Sequence, residues 1–246
     1  MPIIAVANRK GGVGKTTISV ALATHLARRH KVLLVDLDSQ ASATELLNVE
    51  PQPAVAEWLI LEKVPELVQA HGLALLASNV ITEKANTSLA TDADVTAIER
   101  GLPRLGRFDY VLLDCPPSLN ILTRAAIYAS DYVLAPTLAE YLSVAGVRQL
   151  LTQTAQMRER WGLPVKLLGI QPNMYRRTTT EHHENLTALV KAYGAYPHNG
   201  GRVWPPLRQS IAVSRASAEG VTVWDTLSGQ VLAEWEAMVE RVESYA

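Results

Sequence analysis

Cysteine is almost absent from this chain of 246 residues: Cys115 stands alone, which excludes an internal disulfide framework and any thiolate zinc or iron-sulfur cluster held by one chain. A reducing compartment fits that usage. No stretch approaches the run of about 18 apolar residues that a membrane span needs, and the N-terminus enters a strand-like segment without a charged-then-apolar leader. The expectation is an unprocessed, cytoplasmic protein. Charge is scarce as well. Only 19% of residues are charged, and 23 basic against 24 acidic side chains give a net charge of -1, so the chain as a whole is no polycation built for nucleic acid. Internal repeats, low-complexity stretches and long Gly/Ser linkers are also missing, which leaves one domain over residues 1–246 as the expectation. What is abundant is apolar side chain. At 48% hydrophobic residues the chain can fill a sizeable core, which rules out a disordered tail.

Short aliphatic and β-branched runs recur at Ile3 to Ala7, Val32 to Val35, Leu73 to Leu76, Tyr110 to Leu113, Tyr132 to Ala135 and Leu167 to Ile170. They read as strands buried on both faces. Helical patterns lie between them, such as Ile18, Leu22 and Leu26 at a spacing of four. Strand alternating with helix predicts an α/β fold: an open, mostly parallel twisted sheet with helices on both faces.

The small net charge hides an uneven distribution. Residues 171–215 carry six Lys/Arg against two acids, a local +4, whereas the tail from Ala216 holds six acids and one arginine, a local -5. Any affinity for nucleic acid is therefore expected in a local patch.

The strongest chemical signal is Lys10-Gly11-Gly12-Val13-Gly14-Lys15-Thr16-Thr17, which follows the first strand and precedes the first helix. Glycines there let backbone N–H groups curl around phosphate oxygens, and the helix N-terminus adds a positive dipole end. Lys15 neutralises β/γ charge and Thr16 can ligate Mg²⁺. A strict G-x-x-x-x-G-K-T loop would have glycine where this chain has Arg9, so the loop is a variant with an additional lysine, Lys10. The next strand ends in Val35-Asp36-Leu37-Asp38-Ser39-Gln40, placing two acids at the carboxyl edge where open α/β sheets bind ligands. One of the two is suited to polarise an attacking water, and either could help hold a metal. A further strand ends in Asp114-Cys115-Pro116-Pro117-Ser118, and an aspartate there is the expected metal-side acid of a nucleotide hydrolase. Cys115 itself reads as an inert buried thiol.

These motifs, with Ala135-Pro-Thr-Leu-Ala-Glu140 and Ser214-Arg-Ala-Ser-Ala-Glu-Gly220, run nearly the length of a chain that resembles the ParA family of DNA-partition ATPases. That family lies in the deviant Walker-A (MinD/ParA) branch of P-loop proteins. The resemblance implies ATP and Mg²⁺ as cofactors and an ATP-dependent homodimer in which Lys10 of one subunit reaches the phosphates bound by the other. It assigns Asp38 to the hydrolytic water, Thr16 to Mg²⁺, Asp114 to the metal's outer shell, and Asn173 or the Pro206 region to adenine. It also implies nonspecific binding of double-stranded DNA by the ATP dimer, a nucleoid-associated cytoplasmic location and a ParB-type centromere-binding protein that stimulates hydrolysis. Arg177 lines up with one DNA-contacting residue. The family's second arginine falls near Ala212 here, leaving Arg208 and Arg215 as nearby candidates. Arg9 stands where glutamine is commoner. So short a lead before the phosphate loop leaves no room for an N-terminal helix-turn-helix, which makes operator binding unexpected.

The alternative is a MinD-like or cargo-positioning ATPase acting as a nucleotide-gated scaffold. MinD-like proteins end in a basic amphipathic helix. Here the apolar stripe Val231, Leu232, Trp235, Met238, Val239 and Val242 is accompanied by four glutamates and Arg241 alone. Anionic lipid would repel that face, so the helix is expected to pack on the domain, with no membrane partner. His182 and His183 read as solvated surface rather than as a chelate.

Overall fold

The computed structural model describes residues 1–89, 91–196 and 201–245, with the side chains of 141–143 left aside. Residues 197–200 of the basic segment lie outside the described residues. The first half runs β1 (Ile3–Val6), α1 (Lys15–Leu26), β2 (Val32–Asp36), α2 (Ser42–Leu46), α3 (Ala54–Ile60), β3 (Val68–Ala70), β4 (Leu73–Leu76), α4 (Glu83–Ser88), α5 (Ala97–Gly101) and β5 (Tyr110–Asp114). The second half runs α6 (Ile121–Ala129), β6 (Tyr132–Leu138), α7 (Tyr141–Trp161), β7 (Lys166–Asn173), α8 (Thr180–Tyr193), α9 (Ile211–Glu219), α10 (Val223–Thr226) and α11 (Gly229–Tyr245).

All six strands expected from the aliphatic runs are present, in one sheet ordered β3-β4-β2-β5-β1-β6-β7. Every pairing but β3 with β4 is parallel. The central strands are apolar up to their carboxyl ends because alternate residues serve opposite layers. Ala5, Leu33, Val35, Val111 and Leu113 point into a layer completed by Trp58, Ile98, Leu122 and Val147. Ile4, Val6, Leu34 and Leu112 point into the other, against Ile18, Leu22 and Leu26 of α1 and Trp235, Met238, Val239 and Val242 of α11. The apolar stripe of α11 is thus buried in the domain, where its own sequence placed it. No helix among the described residues is long and apolar enough to cross a membrane.

Strand β3 is the strand of the sheet that periodicity did not reveal. It is three residues long, only half-buried, and pairs antiparallel with β4 across His71 and Gly72, both with positive φ (47° and 82°). Two successive residues of that kind make a primed hairpin turn, whose twist matches the strands it joins. The pairing therefore depends on local turn geometry and leaves almost no hydrophobic pattern.

Candidate functional site

At the carboxyl edge of β1 the chain turns through the glycine loop into α1. Gly12 and Gly14 have φ of 72° and 90°, a region that costs L side chains energy. Gly14 is also enclosed: a Cβ there would lie 2.1 Å from Asn173 Nδ2. Helix α1 starts at Lys15 with no side-chain cap from Gly14 and no acid in its first turn, so its leading N–H groups remain available to an anion.

Lys15 is only 6% exposed, and its Nζ lies 3.5 Å from the Lys10 carbonyl oxygen. Burial lowers its pKa, and the carboxylates of Asp114 and Asp38 act against that shift. The ammonium is thus held in a partly dehydrated position, where its charge is most effective toward phosphate.

The two strand-end acids in register, Asp36 and Asp114, are both fully buried, but their surroundings differ. Both Asp36 oxygens are committed. Oδ1 accepts from Asp38 N at 3.2 Å, and Oδ2 accepts from Thr44 N at 2.9 Å and Thr44 Oγ1 at 2.8 Å. Asp36 therefore ties down the 37–44 segment and holds Asp38 facing the cavity. Of the two acids that the sequence left open, Asp38 is the one available to a ligand. Its segment is fastened again from just beyond β4, because Ser78 Oγ donates to the Asp38 carbonyl at 2.8 Å. Burial pushes Asp36 up to about 6 against the pull of those hydrogen bonds.

Asp114 accepts from Ser19 Oγ at 2.8 Å through Oδ1, while its Oδ2 is buried without a hydrogen-bond partner. Burial, and after it the neighbouring Asp36, raises its pKa to about 7, with Ser19, Thr16 and Lys15 pulling downward. An unsatisfied carboxylate oxygen beside a phosphate loop fits a divalent cation or one of its waters. Thr16 and Asp38 line the adjoining cavity. This donor set of hard oxygens suits Mg²⁺. Burial also raises the pKa of the Cys115 thiol, which leaves it unreactive.

Asp114 yields a stability prediction. An acid whose folded pKa is raised binds its proton more tightly when folded, so its contribution is full below about pH 4 and is lost as pH rises through about 7. Asp114→Asn, melted in EDTA at pH 8, is expected to be more stable by on the order of 2–4 kcal/mol. That corresponds to roughly 5–10 °C in Tm, measured by calorimetry. The gain should shrink steadily toward pH 4, and a pH-independent difference would rule out this origin.

The glycines, α1 and the Asp38 segment enclose a cavity of about 480 Å³. Gly11, Gly12, Gly14, Lys15, Thr16, Thr17 and Asp38 line it, as do Ser42, Glu45 and Leu46 at α2, Pro117 after β5, and Met174 and Ser217. Four expected contacts sit elsewhere. Val13 is wholly buried, Pro206 is half-buried off the cavity, and Lys10 turns its ammonium to Glu140 at 2.7 Å. Asn173 lies beneath the loop, with Nδ2 donating to the Val13 carbonyl at 3.1 Å and Oδ1 accepting from Met174 N at 2.9 Å. Sequence reasoning gave no site role to Ser42, Glu45, Leu46, Pro117, Met174 or Ser217, although Pro117 and Ser217 lie within the quoted motifs. Met174 owes its position to a left-handed backbone (φ 51°), which nothing in a methionine announces.

A second cavity, of about 540 Å³, adjoins the same stretch of chain, with Tyr175, Arg176, Arg177 and Thr178 on one side and Arg208, Gln209 and the start of α9 on the other. Arg177 is exposed there. Arg208 is not free: Nη2 and Nε hold Glu234 at 2.6 and 2.9 Å. Arg215 sits one turn into α9 opposite Glu219 at 3.9 Å and does not line the cavity. Acids of the negative tail thus meet two arginines of the positive segment, and the exposed positive charge at the cavity narrows to Arg176 and Arg177. His182 supports them by accepting from Arg176 N at 3.1 Å, a structural use its sequence gave no reason to expect.

The AAA domain family model matches residues 1–167. The chain is 38% identical over 223 residues to the chromosome-partitioning ATPase Soj of Thermus thermophilus, covering 89% of this chain and 86% of that one. It belongs to the ParA family. ParA-family chains of this kind are P-loop ATPases, and this one is an ATPase. In fold it is similar to apo McdA of Cyanothece, with a TM-score of 0.88 and 22% identity over 98% of this chain and 99% of the other. It is also similar to a Mycobacterium smegmatis protein described as cobyrinic acid a,c-diamide synthase, solved with an ATP analogue and magnesium. That match has a TM-score of 0.78 and 30% identity over 100% and 97% of the two chains.

Proposed function

We propose that this ParA-family ATPase partitions plasmid or chromosomal DNA: an ATP-bound homodimer binds double-stranded DNA without sequence preference, and a ParB-type partner stimulates the hydrolysis that releases it. ATP with Mg²⁺ supplies the reactive phosphoanhydride. Loop N–H groups and Lys15 hold its β and γ oxygens, Thr16 and the free Asp114 oxygen take the hydrated cation, and Asp38 orients the attacking water. Lys10 of the second protomer adds positive charge at the transferred group, as an arginine finger does.

One observation supports the link to DNA above the rest. The two cavities share one stretch of chain: Asn173 hydrogen-bonds the phosphate loop, Met174 lines the nucleotide cavity, and Arg176 and Arg177 follow at once in the second cavity. Helix α9 repeats the arrangement, with Ser217 on the first cavity and Ile211 and Ser214 on the second. A shift at the nucleotide is thus one residue away from the arginine loop. A single patch carrying two exposed arginines binds weakly, and pairing two patches in a dimer raises affinity through avidity.

The test is a gel shift with arbitrary duplex DNA, with and without ATP, at two salt concentrations. Retardation is expected only with ATP and should weaken steeply with salt. Arg177→Ala, which removes one contact from each protomer, is expected to lower affinity about tenfold or more, with ATP hydrolysis in the absence of DNA unchanged. No ATP-dependent retardation at low salt would favour the nucleotide-gated scaffold that positions some other cargo.

A further inference from the structure

Lys10 is the additional cation of the loop, yet its side chain takes no part in the cavity that the loop builds. Its Nζ instead pairs with Glu140 Oε2 at 2.7 Å, with the two side chains 30% and 40% exposed. Glu140 is the residue before α7, and its backbone is fixed from several directions. The preceding Ala139 is wholly buried, and Asn185 of α8 donates to the Ala139 carbonyl at 3.3 Å. The strap leading to Lys10 is tied to the same unit. Asn8 Nδ2 donates to the Pro136 carbonyl at 2.6 Å, and Asn8 Oδ1 accepts from Lys10 N at 3.1 Å. Arg9 Nη1 donates to Gln149 Oε1 of α7 at 2.7 Å. Gly146 of α7 permits the approach, since a Cβ there would lie 2.9 Å from Asn8 Oδ1. Residues 8–10 are thus laid along the β6–α7 unit, and the variant Arg9 acquires a role as one of the ties.

We propose that Glu140 is a positioning residue: it holds Lys10 away from the protomer's own nucleotide cavity, and the Lys10–Glu140 ion pair must open before Lys10 can serve a partner, which sets the protein concentration at which ATP drives association. This rests on the reading of Lys10 as a cation delivered to a second copy. The free protomer is stabilised by the ion pair and the dimer is not, so weakening the pair shifts the equilibrium toward the dimer. A partly exposed pair of this geometry is worth a small factor, about two- to fivefold in the association constant.

The experiment compares wild type with Glu140→Gln, which keeps the shape and removes the charge, and with Glu140→Asp, which keeps the charge and shortens the reach. In nucleotide-free protein, the rate of Lys10 acetylation by an N-hydroxysuccinimide ester, read by mass spectrometry, is expected to rise about two- to fivefold in both variants. With a non-hydrolysable ATP analogue and Mg²⁺, sedimentation should show the half-maximal concentration for dimerisation falling by a similar factor, with the melting temperature of the free protein lowered by no more than about 1–4 °C. A fall for Glu140→Gln alone would point to simple relief of charge repulsion at the phosphates and would overturn the proposal, as would an unchanged acetylation rate or an unchanged or raised threshold. Lys10→Ala separates this from the underlying reading. If that variant dimerises and hydrolyses as wild type does, trans delivery is wrong. If it is defective while the Glu140 variants leave the threshold unmoved, trans delivery stands and the latch is wrong.

Discussion

Lys15→Ala is expected to lower ATP hydrolysis by about 10³-fold or more and to abolish ATP-dependent dimerisation. The size follows from where the ammonium sits. Lys15 is 6% exposed, at the start of α1, with Asp114 and Asp38 as the nearby charges. Water filling the space would bring no charge, and the β and γ oxygens would face two carboxylates with the Mg²⁺ ion alone to offset them. Loss of one pre-placed donor at developing charge commonly costs about 10² to 10³, and here ground-state affinity is lost with it. Isothermal titration with ATP and a phosphate-release assay measure the two effects. Wild-type dimerisation by this variant would mean that the phosphate site has been misassigned.

Asp38→Ala should separate steps that Lys15→Ala removes together. Hydrolysis is expected to fall roughly 10²- to 10⁴-fold, while ATP binding and ATP-dependent dimerisation persist. Asp38 lines the cavity and its Oδ1 accepts only a local bond from Gln40 N at 3.0 Å, so its removal leaves the frame intact. The frame belongs to Asp36, whose oxygens hold Thr44 and the Asp38 backbone. The ATP-arrested variant is therefore expected to keep its DNA affinity and to lose release. Single-turnover kinetics with labelled ATP provides the measurement. Normal hydrolysis by Asp38→Ala would remove it from the catalytic set.

Much of this site was legible because its parts are contiguous in sequence. A loop of glycines between two lysines has few other uses, and an aspartate closing an aliphatic run at Val35-Asp36 or Leu113-Asp114 must emerge at the carboxyl edge of a parallel sheet. The strands were legible for a related reason: burial on both faces demands unbroken apolar runs. Less was legible where a residue's role depends on what approaches from far along the chain. Asp36 and Asp38 are alike in sequence, and Thr44 and Ser78 decide which of them faces the ligand. Arg208 and Arg177 are alike too, until Glu234 of α11 takes the first. Met174 carries no motif and Ser217 sits in one that assigns it no role; they reach the cavity because β7 and α9 end there.

The sequence by itself determined the doubly covered parallel sheet, the phosphate loop and the presence of a basic segment beside an acidic tail, because periodicity, glycine content and charge are local properties of the chain. Tertiary structure alone decided which of those charges remain available. The net charge of -1 is partly internal compensation: Glu140 holds Lys10, Glu234 holds Arg208 and Glu219 faces Arg215. Ion pairing acts over a few ångströms of space, whatever the separation in sequence, and Lys10 and Glu140 stand 130 residues apart. Their meeting is a product of the fold, and with it the question of when Lys10 is free to act.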